Sequence, residues 1–294
     1  MSEAPSFPIA TALMALVLLV AASADASAGQ PAPTPPAGRD PGGVAVALVG
    51  AGIDYRHPEL AHRLARDGEG TVIGWNMLEG GPLPYDAPPP EGRALPPEAG
   101  TAQARLLLAE APAARLIPVR VPEADARGLA AALAFVRVTP ARVVAVLTGP
   151  VPETEKALLG RIVEASAHLL VITTANLADA FPQRYANVIC VSPLPSLEPA
   201  RGARGSEPHC DLSVAASGDG GIGTGTEAVN PRAAANAAAV RVAALAARLL
   251  HAEPALAAAS LRERIAGLAT AWPAPAAGAP ALRIENIARQ PLSR

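Results

Sequence analysis

VAVALVGAGIDYRHPEL, residues 44–60, decides the architecture of this 294-residue chain. Val44 to Val49 is an unbroken apolar run. A strand with one wet face alternates apolar and polar residues, whereas a strand covered on both faces does not. The run therefore predicts an interior strand of a parallel sheet. His57 and His62 follow it, on an expected exposed helix, and read as surface residues.

Similar runs recur along the chain: TVIGW (71–75), RLIPVRV (115–121), VVAVLT (143–148), LLVITT (169–174), NVICV (187–191) and DLSVA (211–215). Helices are predicted between and after them at 100–110, 126–137, 153–166, 233–251 and 258–268. PETEKALLGRIVEASA (152–167) opens with Pro and acidic residues, which suit a helix N-terminus. Alternating β and α elements predict a doubly wound, mainly parallel α/β sheet of about seven strands with helices on both faces. Residues 78–98, rich in Pro and Gly, read as a surface loop. The Pro/Ala-rich tail, 271–294, reads as surface chain.

Composition narrows the function. The net charge is −2 and there is no Lys/Arg stripe, so nucleic acid is not an expected partner. No phosphate-binding loop or zinc-ligand spacing occurs, and no cofactor or metal is expected. Half of the residues are hydrophobic but only 3% are aromatic, which predicts an Ala-rich core with closely packed helices.

The N-terminal run IATALMALVLLVAA (9–22) would span roughly 21 Å as a helix, short of a ~30 Å hydrocarbon core. Ala26-Ser27-Ala28 fits a cleavage site. The expectation is a signal peptide over 1–28, export to the periplasm or medium, a Pro/Gly-rich linker over 29–42, and one domain over 43–270. The basic-poor segment MSEAPSFP keeps an uncleaved membrane anchor as the alternative.

Over about 43–270 the chain resembles the subtilisin-like serine peptidases. VAVALVGAGIDYRHPEL is similar to that family's V-A-V-x-D-T-G-I-D-x-x-H-P-x-L. GWNMLEGGPLPYD (74–86) resembles its G-W-[DN]-F segment. AGTAQAR (99–105) and AEAPAARLIPVRV (109–121) resemble the His motif and the segment after it. VITTANLADAFPQRYANVICVSPL (171–194) and HCDLSVAASG (209–218) resemble later strands. The resemblance implies a seven-stranded sheet and a triad in the chain order Asp, His, Ser.

All three triad positions are replaced. Gly50 stands where the orienting Asp would be. Asp54 matches a second Asp of the family motif rather than a displaced catalyst. Ala99 and Ala102 occupy the two His positions, while Gly100 and Thr101 keep the register. No His occurs between His62 and His168. Counting back from Glu253-Pro254 places Asn236 at the nucleophile; registers at Glu227 or Ala233 stay open. No Ser or Cys lies between Ser217 and Ser260 in any case. Asn176 matches the oxyanion Asn, with a turn-capping role as the alternative. The resemblance also suggests a Cys190–Cys210 disulfide, against the alternative of two small buried apolar residues. About 15 residues between Gly29 and the first strand leave no room for a folding pro-domain.

The expected function is thus an exported, inactive subtilisin-like protein acting as a scaffold or holding an extended peptide, with Leu147-Thr148-Gly149 as the segment that would pair with it. The alternatives are a serine-type hydrolase with a non-standard site built from Glu227, Asp54 or His209, and a decaying peptidase paralogue.

Overall fold

The computed structural model describes residues 32–86, 99–152, 155–174, 177, 185–193, 210–214, 231–268 and 281–282. The chain divides into Met1–Pro33 and Thr34–Arg294, and all the elements below lie in the second unit.

Among the described residues eight strands form one sheet: β1 (Val44–Gly50), β2 (Trp75–Asn76), β3 (Ala114–Arg120), β4 (Ala141–Val146), β5 (Leu170–Thr174), β6 (Val188–Pro193), β7 (Leu212–Val214) and β8 (Ala281–Leu282). Their spatial order is β2-β3-β1-β4-β5-β6-β7-β8, and every pairing is parallel. Six helices accompany them among the described residues: α1 (Pro58–Ala61), α2 (Ala99–Glu110), α3 (Ala126–Arg137), α4 (Lys156–Glu164), α5 (Pro231–Ala252) and α6 (Ala258–Gly267). The doubly wound parallel architecture is as the apolar runs predict. Two differences are local. The strand expected at 71–75 is reduced to Trp75–Asn76, because Val72 and Ile73 pair with Arg66 and Ala65 and only Trp75 and Asn76 join β3. The edge strand β8 is too short to leave a periodic signal in the Pro/Ala-rich tail.

Side chains leave each strand alternately to the two faces. On one face Val46, Leu48, Val143, Ala145 and Ile172 pack against α2, α5 and α6. On the other, Ala47, Val49, Val144, Val146 and Val171 pack against α3 and α4. α5 is the central helix. Ala238, Ala239, Ala243, Ala244, Ala246 and Ala247 are all buried, and these methyls let its backbone approach the sheet closely. Residues 232–252 are long and apolar enough to cross a membrane, but 83% of that window is buried inside the protein.

The Pro/Gly-rich segment before β1 is irregular yet anchored. Asp40 accepts from the Arg66 N–H (2.8 Å) and the Gly42 N–H (2.7 Å) and pairs with Arg115. Burial pushes the Asp40 carboxyl up, but these donors outweigh it and hold its pKa below the usual value. The buried Arg66 guanidinium also ties down the Pro36 carbonyl (2.7 Å).

Candidate functional site

Because all strands are parallel, their C-terminal ends share one rim. The chain leaves β1 for β3 on one side and reaches β4 on the other, so the strand order reverses between β1 and β4. Doubly wound sheets open a crevice at such a reversal, outside the C-terminal ends of the strands. Here that place is formed by Gly50, by Leu147–Gly149 after β4, and by the loop after β3.

Gly50 ends β1 and is buried. A β carbon on it would stand 3.4 Å from Leu147 Cβ. Asn236, in α5, is 6% exposed. Its Nδ2 donates a long hydrogen bond of 3.5 Å to the Leu147 carbonyl, and its Oδ1 has no hydrogen-bond partner among the described residues. Gly50 and Asn236, 186 positions apart in sequence, thus meet at Leu147. Ala233 lies half-buried in the first turn of the same helix.

Ala99 opens α2 and is half-buried. The next residue, Gly100, packs directly on the turn after β1: a β carbon there would lie 1.7 Å from the Gly52 carbonyl oxygen. Gly52 itself has φ +88°, a conformation that favours glycine. The contact is sealed by the Asp54 N–H donating to Thr101 Oγ1 at 2.8 Å, and by the Gly100 N–H donating to Asp86 (3.1 Å). The structure therefore places the end of β1, the start of α2 and the start of α5 around one rim of the sheet.

Asp54 is engaged locally. Its carboxylate accepts from the Arg56 backbone N–H (3.0 Å) and from Arg56 Nε (3.1 Å). Burial raises its pKa, but the Arg56 hydrogen bonds and charge outweigh that and leave it below the usual value. His57 caps α1, its Nδ1 accepting from the Glu59 N–H at 3.3 Å, and His62 is exposed. Asn176, Glu227 and His209 lie outside the described residues. Cys190 and Cys210 are joined as a disulfide with Cα atoms 4.7 Å apart. Asp211 braces that junction, accepting from the Cys190 N–H and from Arg262, both at 2.8 Å.

One cluster at the crevice has no signal in the sequence. Glu123, in the loop after β3, accepts from the Gly149 N–H at 3.2 Å and pairs with Arg232 in the first turn of α5. Glu123 and Arg232 are 109 residues apart, and no local pattern links them. A separate open hollow of about 290 Å³ lies at the opposite end of the sheet, lined by Gly43, Val44, Arg142 and His251. The Arg142 guanidinium is held there by the Pro254 and Leu256 carbonyls. The hollow is far from the strand reversal, so we place no site in it.

No family model matches the chain, and no curated protein sequence matches it. Among solved structures, a cold adapted subtilisin-like serine proteinase matches over 84% of this chain and 91% of its own, with a TM-score of 0.54 and 15% identity. The chain has a subtilisin-like fold. At 15% identity the likeness carries the scaffold and no chemistry, because one scaffold serves many activities.

Proposed function

We propose that this protein is an inactive relative of the subtilisin-like serine peptidases, exported from the cytoplasm and kept as a scaffold that holds an extended peptide. In this reading Gly50, Ala99 and Asn236 stand at the positions of the orienting carboxylate, the base and the nucleophile, and Asn176 stands at the oxyanion position. One observation carries it: the rim where β1, β4 and α5 converge offers a bare backbone at Gly50 and a buried carboxamide at Asn236, both against Leu147. Gly50 has no side chain to orient an imidazole, and the Asn236 carboxamide has no hydroxyl or thiol to attack a carbonyl.

Magnitude supports the reading. In a subtilisin triad, loss of the nucleophile or the base alone lowers kcat by about 10⁶, leaving ~10³–10⁴ over water from binding and the oxyanion hole. The engagement of the Asp54 carboxylate with Arg56 argues against a substitute site built on it.

The crevice itself remains a place for peptide. An extended segment could add along the chain after β4, taking main-chain hydrogen bonds from Leu147–Gly149. The test is incubation of the purified protein with a library of internally quenched peptides, together with equilibrium binding of the same peptides. Binding without turnover is expected. Cleavage at one defined bond, abolished by a serine-peptidase inhibitor, would contradict the proposal.

A further inference from the structure

The loop after β3 turns sharply before α3. Ala124 has φ 54°, a left-handed conformation that is unfavourable for a non-glycine residue. Asp125 then caps α3, accepting from the Arg127 N–H at 3.0 Å. From this turn the Glu123 side chain, still half exposed, reaches Gly149 and Arg232. Its carboxylate receives two donors from two separate elements: the Gly149 N–H after β4, and the Arg232 guanidinium on α5. The fit is close, because a β carbon on Gly149 would stand only 2.9 Å from Glu123 Oε2. The carboxylate thus rests on the bare face of the glycine.

A main-chain N–H and a guanidinium converging on one point form a receptor for a carboxylate, the charge-assisted arrangement that proteins use to hold acidic groups. Gly149 is buried and belongs to the chain that continues a core strand. Glu123 is exposed and sits on a loop, so it can leave without disturbing the core. The Gly149 backbone is the fixed part of the arrangement, and Glu123 is the movable one.

We propose that the Gly149 N–H and Arg232 form a carboxylate-binding notch at the edge of the crevice, and that Glu123 fills it as an internal plug. The external ligand is a carboxylate on an extended peptide, either an acidic side chain or a free C-terminus, which binds by displacing Glu123. The ligand class rests on the reading of the crevice as a peptide site; the notch does not. The plug has a definable consequence. A tethered competitor leaves only a fraction of molecules open, and apparent affinity falls by that fraction.

The experiment compares one extended peptide in three forms: free acid, C-terminal amide, and C-terminal amide with an internal Glu. Each is titrated against the wild-type protein and the Glu123→Ala variant by fluorescence anisotropy. The variant is expected to bind a carboxylate-bearing form about tenfold or more tightly than the wild type does, with no gain for the plain amide. The free-acid and internal-Glu arms identify the source of the carboxylate. Adding Arg232→Met to Glu123→Ala should remove the gain. Equal gains for all three forms, or a gain that survives Arg232→Met, would overturn the proposal.

Should Glu123→Ala fail to fold, the wild-type protein labelled with ¹⁵N is titrated with sodium acetate against sodium chloride at matched ionic strength. A saturable, acetate-specific shift of the Gly149 amide resonance is expected, lost in Arg232→Met. No such shift would overturn the notch. Acetate binding with no peptide binding would overturn the peptide ligand and the scaffold reading behind it, while keeping the notch.

Discussion

Gly100 sits so close to Gly52 that a β carbon at position 100 would lie 1.7 Å from the Gly52 carbonyl oxygen. Two backbones touch here, the start of α2 and the turn after β1, with the Asp54–Thr101 hydrogen bond beside them. No rotamer change can relieve a clash with a carbonyl, so Gly100→Ala must push α2 away from the sheet. The expected loss is about 1–3 kcal/mol or more, read as a lower urea midpoint with unchanged slope. A variant as stable as the wild type would mean that α2 does not dock as described.

The second prediction concerns the seam between α2 and α5. Arg241 Nε lies 3.2 Å from Glu110 Oε1, with side-chain exposures of 7% and 19%, and Glu110 Oε2 has no hydrogen-bond partner among the described residues. Burial raises the Glu110 pKa, while Arg241 and Arg248 pull it back only in part. An acid with a raised folded pKa contributes stability that is complete below its unfolded pKa and is lost as pH rises through the folded value. Arg241→Ala removes a partner and should raise that folded pKa further. Its cost relative to the wild type should therefore approach about 3–5 kcal/mol at neutral pH. It should shrink as pH falls through the Glu110 titration. Urea unfolding of both proteins from neutral pH to about the ordinary carboxyl value of 4.5 checks this; a pH-independent difference would contradict it.

The Cys190–Cys210 bridge closes a loop with a sequence separation of 20. In the chain-entropy account a loop of that size is worth about 3 kcal/mol. Replacing both residues with Ala should cost about that much, and the wild type should show no free thiol until it is denatured and reduced. Two titratable thiols in the unreduced, denatured protein would refute the bridge.

Placing an Asp, a His and a Ser at the three positions of the proposed assignment should not produce a peptidase. Gly50→Asp sets its β carbon 3.4 Å from Leu147 Cβ, which places a carboxylate against an apolar side chain. Asn236→Ser gives up the buried contact with the Leu147 carbonyl. Attack needs groups aligned within about 3–3.5 Å, and a 1 Å error can cost ~10² in rate. The triple variant Gly50→Asp, Ala99→His, Asn236→Ser should show at most trace casein hydrolysis. Robust hydrolysis would show that the rim had stayed preorganised.

The sheet was legible in the sequence because its strands are covered on both faces. VAVALV, VVAVLT and LLVITT each read as apolar runs, and each became a strand at nearly the expected place. Trp75–Asn76 and Ala281–Leu282 were not legible as such, since two residues hold no period. For the candidate site the sequence offers only an ordered series of resembling segments, which proposes Gly50, Ala99 and Asn236. What those positions touch was not. Leu147 joins Gly50 to Asn236, and Glu123 reaches Gly149 and Arg232, through contacts made only when β3, β4 and α5 have assembled. Such partners lie from 26 to 109 residues apart, and periodicity carries no information over those distances.

The central claim is that this subtilisin-like fold holds no activated nucleophile. Labelling of the purified protein with a fluorophosphonate serine-hydrolase probe, beside an active subtilisin-like peptidase, tests it most directly. No labelling above that of the heat-denatured protein is expected. Stoichiometric labelling of the native protein, lost on denaturation and mapped to one residue, would contradict the account.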